Sequence, residues 1–92
     1  MQDRDTLLKI LYRGFLDIRL AARGGNLPAA EKLSNLLHTI PLAIVKCGDD
    51  PSCDRELLHD LFNRAAVLGM SKWVEVALHD IKMNEGLSDG RE

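Results

Sequence analysis

What most limits the fold of this chain is where its helices must stop. Four joints carry glycine or proline: Gly24-Gly25 with Pro28, then Pro41, then Gly48 with Pro51, then Gly69. Between them run Leu-rich segments whose apolar residues recur at helical spacing. No stretch sustains strand-like alternation, and no β-branched run is flanked by turns, so the reading is all-α.

The joints place four helices. The first runs from about Asp5, which can cap its amino end, to Arg23, where Gly24-Gly25 supplies a left-handed stop. The second begins at the N-cap residue Asn26 with Pro28 in its first turn, where a missing N–H does no harm. It reaches about Ile40, because Pro41 disfavours α geometry in the residue before it, and LAIVK adds a helical turn or two beyond that kink. Asp50 followed by Pro51 starts a third helix that extends to about Leu68. Gly69 stops it, and Ser71 caps a fourth that ends near Met83. The expected architecture is one four-helix domain over residues 1–85: an antiparallel helical hairpin packed on a second helix pair joined at Gly69. A flexible tail is expected at 86–92. LHTI, LHDL and LHDI echo one another about 20 residues apart, a period that fits none of the helical-repeat families.

Composition narrows function. At 92 residues the chain makes one small core, and aromatics at only 4% with abundant leucine suit helix packing. A net charge of −2 offers no general attraction to nucleic acid or anionic lipid. No apolar run approaches the roughly 20 residues that cross a bilayer. The opening MQDRDTLLKILYRG has acids where a signal peptide carries bases, so a cytoplasmic protein with reduced thiols is expected.

The most chemical-looking stretch is CGDDPSC, Cys47 to Cys53. Its Cys-x5-Cys spacing is not one of the compact zinc or redox spacings, although Cys53 falls in a first helical turn where the dipole can lower a thiol pKa. The expectation is a helix joint capped by Asp50 and carrying two free thiols. His38, His59-Asp60 and Asp80 together resemble the His…His-Asp…Asp order of the all-helical HD phosphohydrolases, which would imply a metal-dependent hydrolase. The helical wheel opposes convergence. The core stripe of the third helix is Leu57, Leu58, Leu61, Phe62 and Ala65, and His59 lies about 120° from its centre with Asp60 nearly opposite. His38 lies off the stripe formed by Leu33, Leu36, Leu37 and Ile40. No catalytic, metal or cofactor residue is assigned.

LFNRAAVLGMSKWVEVAL resembles a helix-turn-helix DNA reader: Ala65 and Gly69 stand four apart, and Gly69-Met70-Ser71 makes the turn. The resemblance implies Lys72 and Trp73 near the bases. Glu75, however, stands where such motifs bury an apolar residue, and SKWVEVALHDIK carries no net positive charge with which to neutralise phosphates. Gly24-Gly25 precedes a helix without the third glycine or the preceding strand of a phosphate loop.

The first helix is the most informative. Ile10, Gly14, Leu7, Ile18, Leu11, Ala22, Phe15 and Leu8 fill an apolar arc of about 160°. Gly14 sits inside it at a cost of about 1 kcal/mol against alanine, which points to a close approach by another element. Outside the arc lie Leu16 and Leu20 with Tyr12, rimmed by Lys9, Arg13 and Arg23. These three apolar residues are the candidate interface with a second chain. The expected function is a small non-catalytic interaction or regulatory module. Its partners would be a second copy of itself and another protein, rather than a membrane or nucleic acid. A DNA-binding regulator using the Gly69 corner is the alternative, and a small metal hydrolase is third.

Overall fold

A computed structural model describes the backbone of residues 3–91 and the side chains of residues 3–83. Five helices follow one another: α1 (Asp3–Arg23), α2 (Leu27–Leu37), α3 (Ile40–Cys47), α4 (Pro51–Val67) and α5 (Ser71–Arg91). Among the described residues there is no strand. The α1–α2 hairpin packs on the α4–α5 pair through contacts of α1 with α4 and α5 and of α2 with α4. The short α3 packs on α4. The flexible tail expected at 86–92 lies outside the residues whose side chains are described.

Local chemistry sets the joints. The Asn26 side chain accepts a hydrogen bond from the Ala29 N–H at 3.3 Å, and Asp50 accepts one from the Ser52 N–H at 3.0 Å. Helices α1 and α4 end alike. Gly25 (φ +79°) donates to the Ala22 carbonyl while Asn26 donates to Ala21, and Gly69 (φ +72°) donates to Ala66 while Met70 donates to Ala65. Each is a Schellman stop, with glycine in the left-handed position and carbonyls that would otherwise be orphaned satisfied by the next two N–H groups.

Four boundaries differ from expectation, one of them the end of the last helix, which runs to Arg91 rather than stopping near Met83. Asp5 does not cap α1, because the helix has already begun at Asp3, and both acids lie in its first turn, where they still suit the dipole. Ser71 is the first residue of α5 rather than its cap. The Val74 N–H bonds to the Met70 carbonyl at 3.2 Å, and the Met70 side chain, the apolar residue that follows a Schellman glycine, is buried in the core. The predicted second helix is two helices. Its first part ends at Leu37, and a new one starts at Ile40 with Pro41 in its first turn, where the ring is tolerated.

The molecule measures 38 × 34 × 20 Å. Its thin dimension is about two helix diameters, so every helix keeps a solvent face. The core is Leu7, Ile10, Leu11, Leu33, Leu36, Leu37, Ile40, Ile44, Leu61, Ala65, Met70, Val74 and Ile81. Of the predicted α4 stripe, Leu61 and Ala65 are buried, and Leu57, Leu58 and Phe62 pack half-buried against them. Leu8, Phe15 and Ala22, expected inside the α1 arc, are exposed. The arc is wider than the surface that neighbouring helices cover. Gly14 is where α1 is approached most closely: a Cβ there would meet Leu37 of α2 and the Trp73 ring of α5.

Candidate interaction surface

Helix α1 offers one continuous apolar ridge to solvent. Leu8, Tyr12, Phe15, Leu16 and Leu20 fall within three successive turns and a half and occupy roughly 140° of the helix wheel. Leu8 and Phe15 are about half exposed, Tyr12 and Leu20 are 68% and 66% exposed, and Leu16 is 39% exposed. The candidate residues Tyr12, Leu16 and Leu20 thus lie on the surface together, joined by two residues that sequence reasoning had placed inside. Beside the ridge an open groove of about 410 Å³ separates α1 from α3, lined by Leu8, Leu11, Tyr12, Phe15, Pro41, Ile44 and Val45. Val45 adds a largely exposed apolar wall on the α3 side.

The opposite flank of α1 is latched to α5. Arg13 Nη1 donates to Asp80 Oδ2 at 2.5 Å, and Arg13 Nε to Asp17 Oδ2 at 3.4 Å. The Asp80 hydrogen bond is the main cause that holds the Arg13 guanidinium above its ordinary pKa. Trp73 Nε1 donates to the same Asp17 oxygen at 2.8 Å. Arg13, expected on the rim of the interface, is therefore engaged with α5. Of the two residues placed near DNA bases by the helix-turn-helix resemblance, Lys72 is exposed, while Trp73 is half-buried with its N–H engaged. Glu75 lines a pocket of about 290 Å³ between α4 and α5 with Phe62, Ala65, Ser71, Val74 and Leu78.

The cysteines are not free. Cys47 and Cys53 form a disulfide, their Cα atoms 5.5 Å apart. Gly48 turns the chain with φ +60°, and the Asp50 cap restarts it at once as α4, which brings the last residue of α3 beside the first turn of α4. The spacing fits no metal or CxxC motif, but this turn closes to within ordinary disulfide range. The same joint is clasped to the start of α1. Arg4 Nε and Nη2 donate to Asp54 Oδ1 at 3.2 and 2.9 Å, and Nη2 also donates to the Gly48 carbonyl. Asp54, only 6% exposed, is the one charged residue buried among the described side chains.

The histidine set does not assemble. His38 is the C-cap of α2, with Nδ1 2.9 Å from the Ser34 carbonyl; His59 and Asp60 are exposed on α4; Asp80 is paired with Arg13. Among the described residues no group of three or more His, Cys, Asp or Glu could hold a metal ion, and no helix is long and apolar enough to cross a membrane. No protein-family model matches the chain, and neither a curated protein nor a solved structure is found similar to it.

Proposed function

We propose that this protein is a small helical interaction or regulatory module that acts by binding, and that its first partner is a second copy of itself docked antiparallel on the α1 ridge. The observation that carries this reading is the self-complementarity of α1. Its first turn is acidic, with Asp3 and Asp5, and its last turn carries Arg23. A two-fold axis crossing the ridge at the level of residue 14 sets Tyr12 opposite Leu16 of the mate, Leu8 opposite Leu20, and Asp5 opposite Arg23, so one patch satisfies itself twice. The antiparallel helix dipoles act in the same direction. The exposed parts of the five ridge residues and Val45 come to on the order of 600 Å² per chain, at the upper end of what monomers leave open and approaching the ~800 Å² per partner of a standard interface.

Each leucine buried there contributes roughly 1.5–3 kcal/mol before the costs of association. Sedimentation of the wild type is expected to show a dimer, and Leu16→Glu with Leu20→Glu a folded monomer, since the buried face through Leu7, Ile10 and Leu11 is untouched. Asp5→Arg should weaken association, and Asp5→Arg combined with Arg23→Asp should restore it. A wild type that stays monomeric at high micromolar concentration removes the proposal. A charge swap without rescue removes the antiparallel register.

A further inference from the structure

The groove beside the ridge has one wall whose position is set by a covalent bond. Helix α3 packs mainly on α4, so the width of the α1–α3 groove follows largely from how α3 is tied to α4. Those ties are few. Ile40 and Ile44 enter the core, Thr39 Oγ1 accepts a hydrogen bond from Arg64 Nη1 at 2.7 Å, the carbonyl of the C-cap Gly48 accepts one from Arg4 Nη2, and the Cys47–Cys53 disulfide pins the last residue of α3. The rest of this eight-residue helix is short for independent stability. Both cysteines are only half-buried and therefore within reach of a reagent in solution.

We propose that Cys47 and Cys53 are a reversible thiol–disulfide modification site, and that an external dithiol opening it frees α3 and dismantles the groove. The chemistry is a two-step exchange. A thiolate of the dithiol attacks Cys47 Sγ, the S–S bond breaks, and Cys53 leaves as thiolate. The reagent's second thiolate then attacks the mixed disulfide and expels the Cys47 thiolate. The reagent departs oxidised to its own disulfide. The protein has gained two electrons and, with two protons, carries two thiols. Cys53 is the better leaving group because it lies in the first turn of α4, where free N–H groups favour the thiolate. Of the neighbouring carboxylates, Asp50 is engaged by the Ser52 N–H and Asp54 by Arg4, while Asp49 is exposed. Arg4 holds the joint to α1 through Asp54 in either state, so release is confined to α3 and does not spread to the N-terminus of α4.

The consequence for association rests on the dimer reading above; the modification site itself does not. The test is hydrogen exchange of the intact chain before and after treatment with dithiothreitol, with iodoacetamide alkylation counting thiols. Opening a loop this short is expected to accelerate exchange of the amides of residues 43–47 on the order of 30-fold. The core amides of α1 and α5 should rise far less. A variant with Cys47→Ser and Cys53→Ser should show the fast α3 pattern with or without the reagent. A pair that dithiothreitol leaves intact in the folded protein overturns the proposal. So does a uniform rise across α1, α3 and α5, which would make the bond a global staple only. Sedimentation of the same samples separates the two readings. A dimer that dissociates on reduction supports both, whereas a monomer in both states with fast α3 exchange removes the dimer and keeps the site.

Discussion

Gly14→Ala sets two effects of known size against each other inside one helix. In an open helix the change stabilises by about 1 kcal/mol, because alanine loses less backbone entropy. Here the new Cβ would overlap Leu37 Cδ1 and lie 3.4 Å from both Leu37 Cγ and Trp73 Cη2. The closest atom is the end of a flexible side chain, which on a surface would swing aside. Leu37 cannot do so freely, being fully buried at 0% exposure. Trp73 on the other side is tied down by its bond to Asp17. Overpacking a filled core typically costs 1–3 kcal/mol, and a blocked escape for Leu37 favours the upper part of that range. The net expectation is a loss of about 1–2 kcal/mol, or about 5–10 °C in Tm for a domain of this size. Urea denaturation followed by circular dichroism reads it directly. A double-mutant cycle with Leu37→Ala should show coupling of at least 1 kcal/mol, because the added methyl occupies space that the truncated leucine vacates. If Gly14→Ala stabilises the protein, or the two changes simply add, the close approach of α1 to Leu37 is not as described.

Two further substitutions probe the joints. Gly69→Ala should destabilise by about 1 kcal/mol through backbone conformation alone, since φ is +72° and a Cβ there meets nothing within 4 Å; Gly69→Asn, which tolerates that region, should cost less by the same denaturation assay, and equal losses would point to a steric cause instead. Arg4→Met should cost about 1–3 kcal/mol by leaving the Asp54 carboxylate buried without its cation, and adding Asp54→Asn should recover part of that loss; a neutral Arg4→Met would show the clasp to be solvated and idle.

The joints of this fold were legible because their chemistry is local. Asn26, Asp50, Gly25 and Gly69 act on N–H groups and carbonyls within five residues of themselves, so their identities announce the geometry. The boundary errors at Asp5 and Ser71 arose because a residue able to cap can equally sit one place inside. The exposure of Leu8 and Phe15 was not legible, because it depends on how many helices cover α1, which is a tertiary fact. The disulfide was hidden for a related reason. The Cys-x5-Cys spacing matches no metal or redox motif, and what closes the bond is the turn at Gly48. One buried feature could have been found. Asp54 falls in register with Leu57, Leu58, Leu61 and Ala65, and a carboxylate on a core stripe demands a cation, here Arg4 from 50 residues away. The Trp73–Asp17 bond had no such signal.

The surface proposed for docking follows from how α1 is held elsewhere. Its start is clasped to the α3–α4 joint by Arg4, its middle is pressed on Leu37 and Trp73 at Gly14, and its far flank is latched to α5 through Arg13, Asp17 and Asp80. Those anchors flank the ridge on both edges or, at Gly14, lie opposite it, so the ridge is held before any partner arrives. A rigid apolar face loses little backbone entropy on association, so more of its roughly 1.5–3 kcal/mol per leucine would survive as affinity. The α3 wall differs in kind. It reaches the rest of the fold through α4, two buried isoleucines, side-chain hydrogen bonds at its two caps from Arg64 and Arg4, and one disulfide. A fixed face beside a wall held by so few ties confines control of the surface to one place: loosening α3 reshapes the groove while α1, latched on its other sides, stays where it is.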